Sequence, residues 1–173
     1  MSTAEGILTL TELLAHAFAI ESEAAERYMS LADQMSVHHN SEVEALFRKL
    51  ADIEGKHAKQ ILEQVGESDL PGLAPWGYLW GSSDSPEAAD FEEAHYLMTP
   101  HHALTMMLGA EERALKFYDN LAQTTPDGPV KNLAQEFAEE EREHVRLVGE
   151  WLAKYPAPED GWDEDADPPS MQE

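Results

Sequence analysis

The amino-acid sequence predicts an all-α protein, a bundle of four helices made of two helical hairpins. Four stretches carry apolar residues at alternating steps of three and four, the spacing that gives a helix one inward face. Short turns separate the first stretch from the second and the third from the fourth, so each pair should form antiparallel neighbours. A long segment of about residues 67–98 separates the pairs. Its length indicates a crossover between distant ends of the bundle.

The composition limits the functions that are open to this chain. Its 173 residues suffice for one domain, and a hydrophobic content of 42% is ordinary for a globular protein. Basic residues number 11 and acidic residues 35, a net charge of −24 that disfavours nucleic acid and anionic membranes as partners. The sequence has no cysteine, so His, Asp or Glu must bind any metal. Neither a signal peptide nor a membrane span is evident, so we expect a cytoplasmic protein.

The first hairpin is predicted from its helix starts and stop. Thr9 and Glu12 have the spacing of a capping box, which opens the first helix. After a short turn, Ser41 and Glu44 form a second pair of this kind and predict the start of the second helix. Gly66 stands where a glycine commonly ends a helix.

The second hairpin follows the crossover. Thr99 followed by Pro100 predicts the start of the third helix, since proline is well suited to the first helical position. A turn that ends in Pro129 predicts the start of the fourth helix. The predicted bundle spans residues 1–156, and the acidic, proline-containing tail 157–173 is predicted to be disordered.

Polar residues stand at inward positions of all four helices, in an order that the two halves of the chain repeat. The first helix of each half carries a Glu, followed seven residues later by a Tyr, and the second helix carries a Glu-x-x-His pair. The set comprises Glu21, Tyr28, Glu54 and His57 in the first half and Glu111, Tyr118, Glu141 and His144 in the second.

This repeated pattern predicts a dinuclear metal site. Four carboxylates at one level of a helical core would be costly without compensation, and two divalent cations would neutralise them. Oxygen and imidazole ligands without sulfur suit iron, manganese or zinc, whereas two histidines argue against calcium and magnesium. Tyr28 and Tyr118 could equally be core residues or hydrogen-bond donors to the ligands. A single Glu-x-x-His is a weak signal, and the repetition carries the prediction.

The other candidate residues are interpreted as structural. We expect His16, His38 and His39 to lie at the surface. His101 and His102 are too far from Glu111 to share its metal. The crossover aromatics Trp76, Tyr78 and Trp80 are expected to pack onto the bundle.

The six predicted ligands resemble the ligand set of the ferritin-like di-iron carboxylate proteins. Within that superfamily, the segments AFAIESEAAERY at 17–28 and YLMTP at 96–100 are most similar to the rubrerythrin-related proteins. The resemblance covers residues 9–155 and implies a ferritin-like four-helix bundle whose two hairpins are joined by the crossover. It also implies two iron ions, bridged by Glu54 and Glu141, with the other four residues of the set as terminal ligands.

The chain departs from the rubrerythrin pattern in two respects. Rubrerythrins have a rubredoxin-like iron site of four cysteines, and this sequence has no cysteine. Rubrerythrins also have a further metal-binding carboxylate one turn after the third-helix glutamate, where this chain has Ala114.

The resemblance implies a di-iron oxidoreductase that reduces hydrogen peroxide or dioxygen with electrons from an external donor protein. A homodimer is expected, and the crossover would permit exchange of hairpins between subunits. Two alternatives stay open: a ferroxidase, iron-storage or metal-holding protein without peroxidase activity, and a metal-free helical binding module.

Overall fold

A computed structural model of the protein describes residues 8–65, 70–72, 86–87 and 94–168. Within these ranges the chain forms four α-helices and no strand: α1 (Leu10–Val37), α2 (Ser41–Val65), α3 (Pro100–Thr124) and α4 (Pro129–Leu152). The helix α1 packs along α2, and α3 packs along α4, as two hairpins. The predicted all-α bundle is confirmed. None of these helices combines the length and the apolar character that a membrane crossing needs.

Local hydrogen bonds explain where the first two helices begin. The Glu12 N–H donates to Thr9 Oγ1 over 3.2 Å, and the Thr9 N–H donates to Glu12 Oε2 over 2.7 Å, so the first predicted capping box is confirmed. The second is wrong, because Ser41 is already helical and the residue before it is the cap. Asn40 Oδ1 accepts from the Val43 N–H over 3.4 Å.

Asn40 also ties the first hairpin to the end of the crossover. Its Nδ2 donates to the carbonyl oxygens of Tyr96, at 3.3 Å, and Met98, at 2.7 Å. The crossover itself falls largely outside the described residues. The predictions for Trp76, Tyr78, Trp80 and the helix stop at Gly66 therefore lie outside them.

The second hairpin begins as predicted. Thr99 precedes α3 in an extended conformation, and Pro100 is its first residue. Gly128 precedes α4 with φ of +150°, a backbone conformation that L side chains rarely adopt, and Pro129 follows it as the first helical residue. These starts fix the register of the second Glu-x-x-His pair.

The apolar core forms two clusters, one at each end of the bundle. The first-turn cluster lies at the end where α1 joins α2, and its large buried members include Tyr28, Phe47, Leu50, Met98 and Leu104. The second-turn cluster lies at the end where α3 joins α4, and its members include Leu13, Ile20, Ile61, Tyr118 and Phe137.

The four inward glutamates lie between these two clusters. On α1, Glu21 falls between Ile20 of the second-turn cluster and Ala24 of the first-turn cluster. On α4, Glu141 falls between Ala138 of the second-turn cluster and Val148 of the first-turn cluster. Apolar side chains above and below therefore keep water from this polar layer, and every charge in it is correspondingly costly.

The acidic tail has defined contacts up to residue 168, in contrast to the predicted disorder of 157–173. The Trp162 ring lies 3.9 Å from the His102 ring and 5.3 Å from the His95 ring, measured between centroids. The Tyr96 hydroxyl donates to Asp165 Oδ2 over 2.8 Å. One large apolar side chain and one carboxylate thus suffice to hold this segment against the start of α3. Residues 169–173 lie outside the described residues.

Candidate metal centre

Four glutamates, one from each helix, point into the core as the periodicity predicts. Glu21 is 6% exposed, Glu54 1%, and Glu111 and Glu141 each 2%. Glutamate is almost never buried to this degree unless it is paired or bound to a metal.

The first hairpin brings three of the predicted ligands together, and we call Glu21, Glu54 and His57 the first trio. His57 Nδ1 lies 3.4 Å from Glu21 Oε2 and 3.4 Å from Glu54 Oε2. One donor atom from each of the three residues lies within 4.8 Å of the other two.

The second hairpin repeats this arrangement with Glu111, Glu141 and His144, the second trio. His144 Nδ1 lies 3.4 Å from Glu111 Oε2 and 3.2 Å from Glu141 Oε2. The ring of His144 stacks on that of His57 with centroids 4.7 Å apart and planes 6° apart. The two trios therefore meet at their histidines, and the repeat in the sequence is a repeat in space.

Burial and close charges change the protonation of both trios in the metal-free protein. Burial raises the pKa of Glu21 to about 8, although His57 beside it acts to lower that pKa. Burial likewise raises the pKa of Glu111 to about 8, against the lowering effect of His144. The carboxylates of the first trio raise the pKa of His57 to about 10. For His144 burial lowers the pKa, but the carboxylates of the second trio outweigh this effect and raise it to about 11. The metal-free centre therefore holds protons at neutral pH.

The donor atoms fit a bound cation. Among the described residues, Glu21 Oε2, both oxygens of Glu54, His57 Nδ1 and Glu111 Oε2 are buried and have no hydrogen-bond partner. Two ligands that are each about 2.1 Å from one metal ion lie roughly 3.0–3.4 Å apart, which matches the His-to-Glu separations. A metal would satisfy these atoms, and binding it would release the protons that the centre holds.

A fifth carboxylate belongs to the same layer, and the sequence pattern does not reveal it. Glu87, in the crossover, is 2% exposed, and one of its oxygens lies within 4.8 Å of donor atoms of Glu21 and Glu141. Burial raises its pKa well above the ordinary value, and the charges of Glu21 and Glu141 raise it further. Glu87 lies in an irregular segment, at the start of a short helix that the sequence suggests near 87–95, and not on the apolar stripe of any of the four long helices, so their periodicity does not reveal it.

The two tyrosines are buried near the layer, and a carboxylate of the opposite hairpin is among the charges that raise the pKa of each. Burial raises the pKa of Tyr28 well above its usual value, with Glu111 as the next cause. Burial does the same for Tyr118, with Glu87 and Glu21 as further causes. Within the described part of the chain neither hydroxyl has a hydrogen-bond partner. Both tyrosines also belong to the apolar clusters, so they pack the core and present a hydroxyl toward the carboxylates.

The remaining histidines lie outside the trios, and one expectation about them is wrong. His16, expected at the surface, is only 2% exposed, because it lies on a turn of α1 whose residues Leu13 and Ala17 are also buried. Its Nδ1 donates to the Glu12 carbonyl over 2.7 Å. The turn residues His38 and His39 are exposed, as expected.

His101 and His102 lie at the start of α3 and have partners outside the metal centre. His101 Nδ1 donates to the Tyr155 carbonyl over 3.0 Å. His102 Nδ1 accepts from the Thr99 N–H over 3.0 Å. Neither belongs to a group of possible metal ligands among the described residues.

Comparison with known proteins agrees with the fold. Residues 12–71 match the rubrerythrin family. A solved structure of an uncharacterized conserved protein from Magnetospirillum magnetotacticum MS-1 is 40% identical to the chain, with a TM-score of 0.64. The match covers 87% of this chain and 98% of that protein. No curated protein matches the chain.

These findings define a ferritin-like helical bundle with carboxylate and histidine groups that could bind a metal. The chain belongs to the rubrerythrin-related family. Because its 173 residues include no cysteine, they cannot supply the rubredoxin-like site of four cysteines. Ala114, which stands in place of the additional third-helix carboxylate, is fully buried.

Proposed function

We propose that the protein is a di-iron oxidoreductase of rubrerythrin type, which reduces hydrogen peroxide or dioxygen with electrons from an external donor. The observation that carries the proposal is the pair of mirrored trios, in which buried carboxylate oxygens lack any other partner among the described residues. Family membership supports iron as the metal. Manganese and zinc suit the same ligands.

In the proposed centre the four carboxylates balance two divalent cations, and the histidines are neutral ligands. Glu54 and Glu141 would hold both ions, and Glu21, Glu111, His57 and His144 would each hold one of them. When bound, two ferrous ions supply the two electrons that convert hydrogen peroxide and two protons into two water molecules. The protein fixes the ligands and leaves positions open for the oxidant.

The surroundings of the trios support access for a small oxidant from one side. The side chains of His57 and His144 are 24% and 23% exposed, whereas the glutamates are buried. We propose that the oxidant enters along the stacked histidine rings. We also propose that the hydroxyls of Tyr28 and Tyr118 donate hydrogen bonds to ligand carboxylates when the metal is bound.

The proposal also includes the partners expected from the sequence. We propose that the electrons come from a separate donor protein, since these 173 residues contain no cysteine for a rubredoxin-like site. A cytoplasmic homodimer is part of the proposal, and the length of the crossover permits its two subunits to exchange hairpins. Size measurement in solution tests the dimer.

Rapid mixing tests the reaction. The protein is loaded anaerobically with ferrous iron and mixed with hydrogen peroxide or with dioxygen, while the absorbance of the ferric product is followed. We expect oxidation well within a second with one of the oxidants, and Glu112→Gln, which changes an exposed glutamate of α3, should react like the wild type. Slow oxidation by both would refute the proposal. A cage of many subunits in solution would instead favour iron storage.

A further inference from the structure

Among the described residues, Glu87 has no structural partner that accounts for its position. It lies in the crossover, and connecting segments normally run over the surface because they carry polar groups. Yet Glu87 is 2% exposed, and in the described part of the chain neither of its side-chain oxygens has a hydrogen-bond partner. An unpaired carboxyl group buried to this extent costs several kcal/mol. Its burial therefore requires a compensating ligand.

The surroundings of Glu87 identify the kind of ligand. Single oxygens of Glu87, Glu21 and Glu141 all lie within 4.8 Å of one another. Glu21 comes from the first hairpin and Glu141 from the second, so the crossover adds its carboxylate where the two trios face each other. Three oxygen donors directed at one another from three segments suit a cation, whereas they would repel one another around anything neutral.

The backbone beside Glu87 is held in place by the second hairpin. The Arg113 Nε donates to the Pro86 carbonyl over 2.8 Å. Arg113 lies two residues after Glu111 on α3, so the same helix provides a predicted metal ligand and the anchor of the crossover. This contact fixes the entry of Glu87 into the core.

We propose that Glu87 is an additional metal ligand of the centre, delivered by the crossover between Glu21 and Glu141. The inference rests on the metal centre proposed above. With Glu87 the centre has five carboxylates, against four in the trios alone. Five negative charges exceed the charge of two divalent ions by one and fall one short of the charge of two trivalent ions. Glu87 therefore favours the more highly charged state of the metals, and it makes the crossover part of the site.

Metal titration without turnover tests this role. Metal-free wild type, Glu87→Gln and Glu112→Gln are titrated anaerobically with ferrous iron in competition with a chromophoric chelator, and unfolding is measured in excess chelator. Wild type and Glu112→Gln should bind two ions with equal affinity. We expect Glu87→Gln to bind at least one ion about tenfold or more weakly. Its metal-free form should be about as stable as the wild type, because glutamine has the same shape and neither oxygen of the carboxyl group it replaces has a hydrogen-bond partner among the described residues.

The outcomes separate this inference from the proposed function. A wild type that binds no iron tightly refutes both. A wild type that binds two ions, together with unchanged affinity in Glu87→Gln, refutes the role of Glu87 alone. An equal loss in Glu112→Gln refutes it as well, since any removed charge would then have the same effect. If Glu87→Gln does not fold, Glu87→Asp, which keeps the charge but shortens the side chain, must show the weakened binding.

Discussion

Replacing Glu54 by methionine should stabilise the metal-free protein and remove most of the stabilisation that metal provides. Glu54 is 1% exposed, and neither of its oxygens has a hydrogen-bond partner within the described ranges. Methionine is unbranched and of similar length, and it restores the apolar stripe of α2 between Leu50 and Ile61. Glu54 Oε2 lies 3.4 Å from His57 Nδ1, and in the variant His57 keeps Glu21 Oε2, also at 3.4 Å, as its partner. The variant thus removes one of four buried carboxylates without leaving the imidazole unpaired, so the change should be neutral or stabilising by about 1–4 kcal/mol, as when a buried ion pair is replaced by apolar residues.

The metal-loaded proteins should show the reverse order of stability. A metal present at about a thousand times its dissociation constant stabilises the wild type by about 4 kcal/mol. Glu54→Met lacks one proposed bridging ligand, so the metal should raise its free energy of unfolding much less. As a control, Glu112→Met changes an exposed position of α3. Its free energy of unfolding should stay within about 0.5 kcal/mol of the wild-type value, both with and without metal.

Guanidinium unfolding, followed by circular dichroism, measures these differences with excess chelator and with excess zinc, which avoids oxidation of the metal. For a chain of this size, 1 kcal/mol corresponds to about 2–4 °C in melting temperature, so a thermal scan provides an independent check. If Glu54→Met is less stable than the wild type in chelator, the ion pair of Glu54 with His57 outweighs the cost of burying the carboxylate, and the reasoning is wrong.

Three further predictions follow from the same geometry. In chelator the free energy of unfolding of the wild type should fall as pH rises, because the pKa values of Glu21, about 8, and His57, about 10, lie above the ordinary values of 4.5 and 6.5. Between each ordinary value and the raised one the folded state binds more protons than the unfolded state, and each extra proton gives a slope of roughly 1.4 kcal/mol per pH unit. Higher stability at pH 8.5 than at pH 6 would contradict this prediction. Tyr28→Phe removes a buried hydroxyl with no partner among the described residues, so stability in chelator should be unchanged or higher by about 1 kcal/mol, and a loss in urea unfolding would contradict this. Trp162→Ala should destabilise the protein by about 1–2 kcal/mol, because the side chain is partly buried. Limited proteolysis should cut the tail of this variant faster than that of the wild type, while the affinity for iron stays unchanged. Equal cleavage rates would show that Trp162 does not fix the tail to the bundle.

The helices and both trios could be predicted from the sequence because helical periodicity assigns each residue to a face. Glu54 and His57 interrupt an apolar series, and only the repeat around Glu141 and His144 distinguishes them from chance. The helix starts at Thr9 and Pro100 followed from local hydrogen bonding and backbone geometry, which act within a few residues.

What could not be predicted depends on contacts between distant segments. Glu87 lies in an irregular segment and not on the apolar stripe of any of the four long helices, so their periodicity does not indicate its burial. Asn40 displaces Ser41 as the cap of α2 because its side chain also binds the end of the crossover. Trp162 is the one aromatic residue of the acidic tail, but its contact with His102 is a tertiary contact that the local sequence does not indicate.

Anaerobic titration with ferrous iron, followed by metal analysis after gel filtration, tests the dinuclear centre most directly. The two trios predict two ions per chain for the wild type. They predict one ion for His57→Leu and one for His144→Leu, because each variant removes the imidazole of one trio. Full retention of two ions in both variants, or no tightly bound iron in the wild type, would contradict the assignment of these residues as ligands of a dinuclear centre.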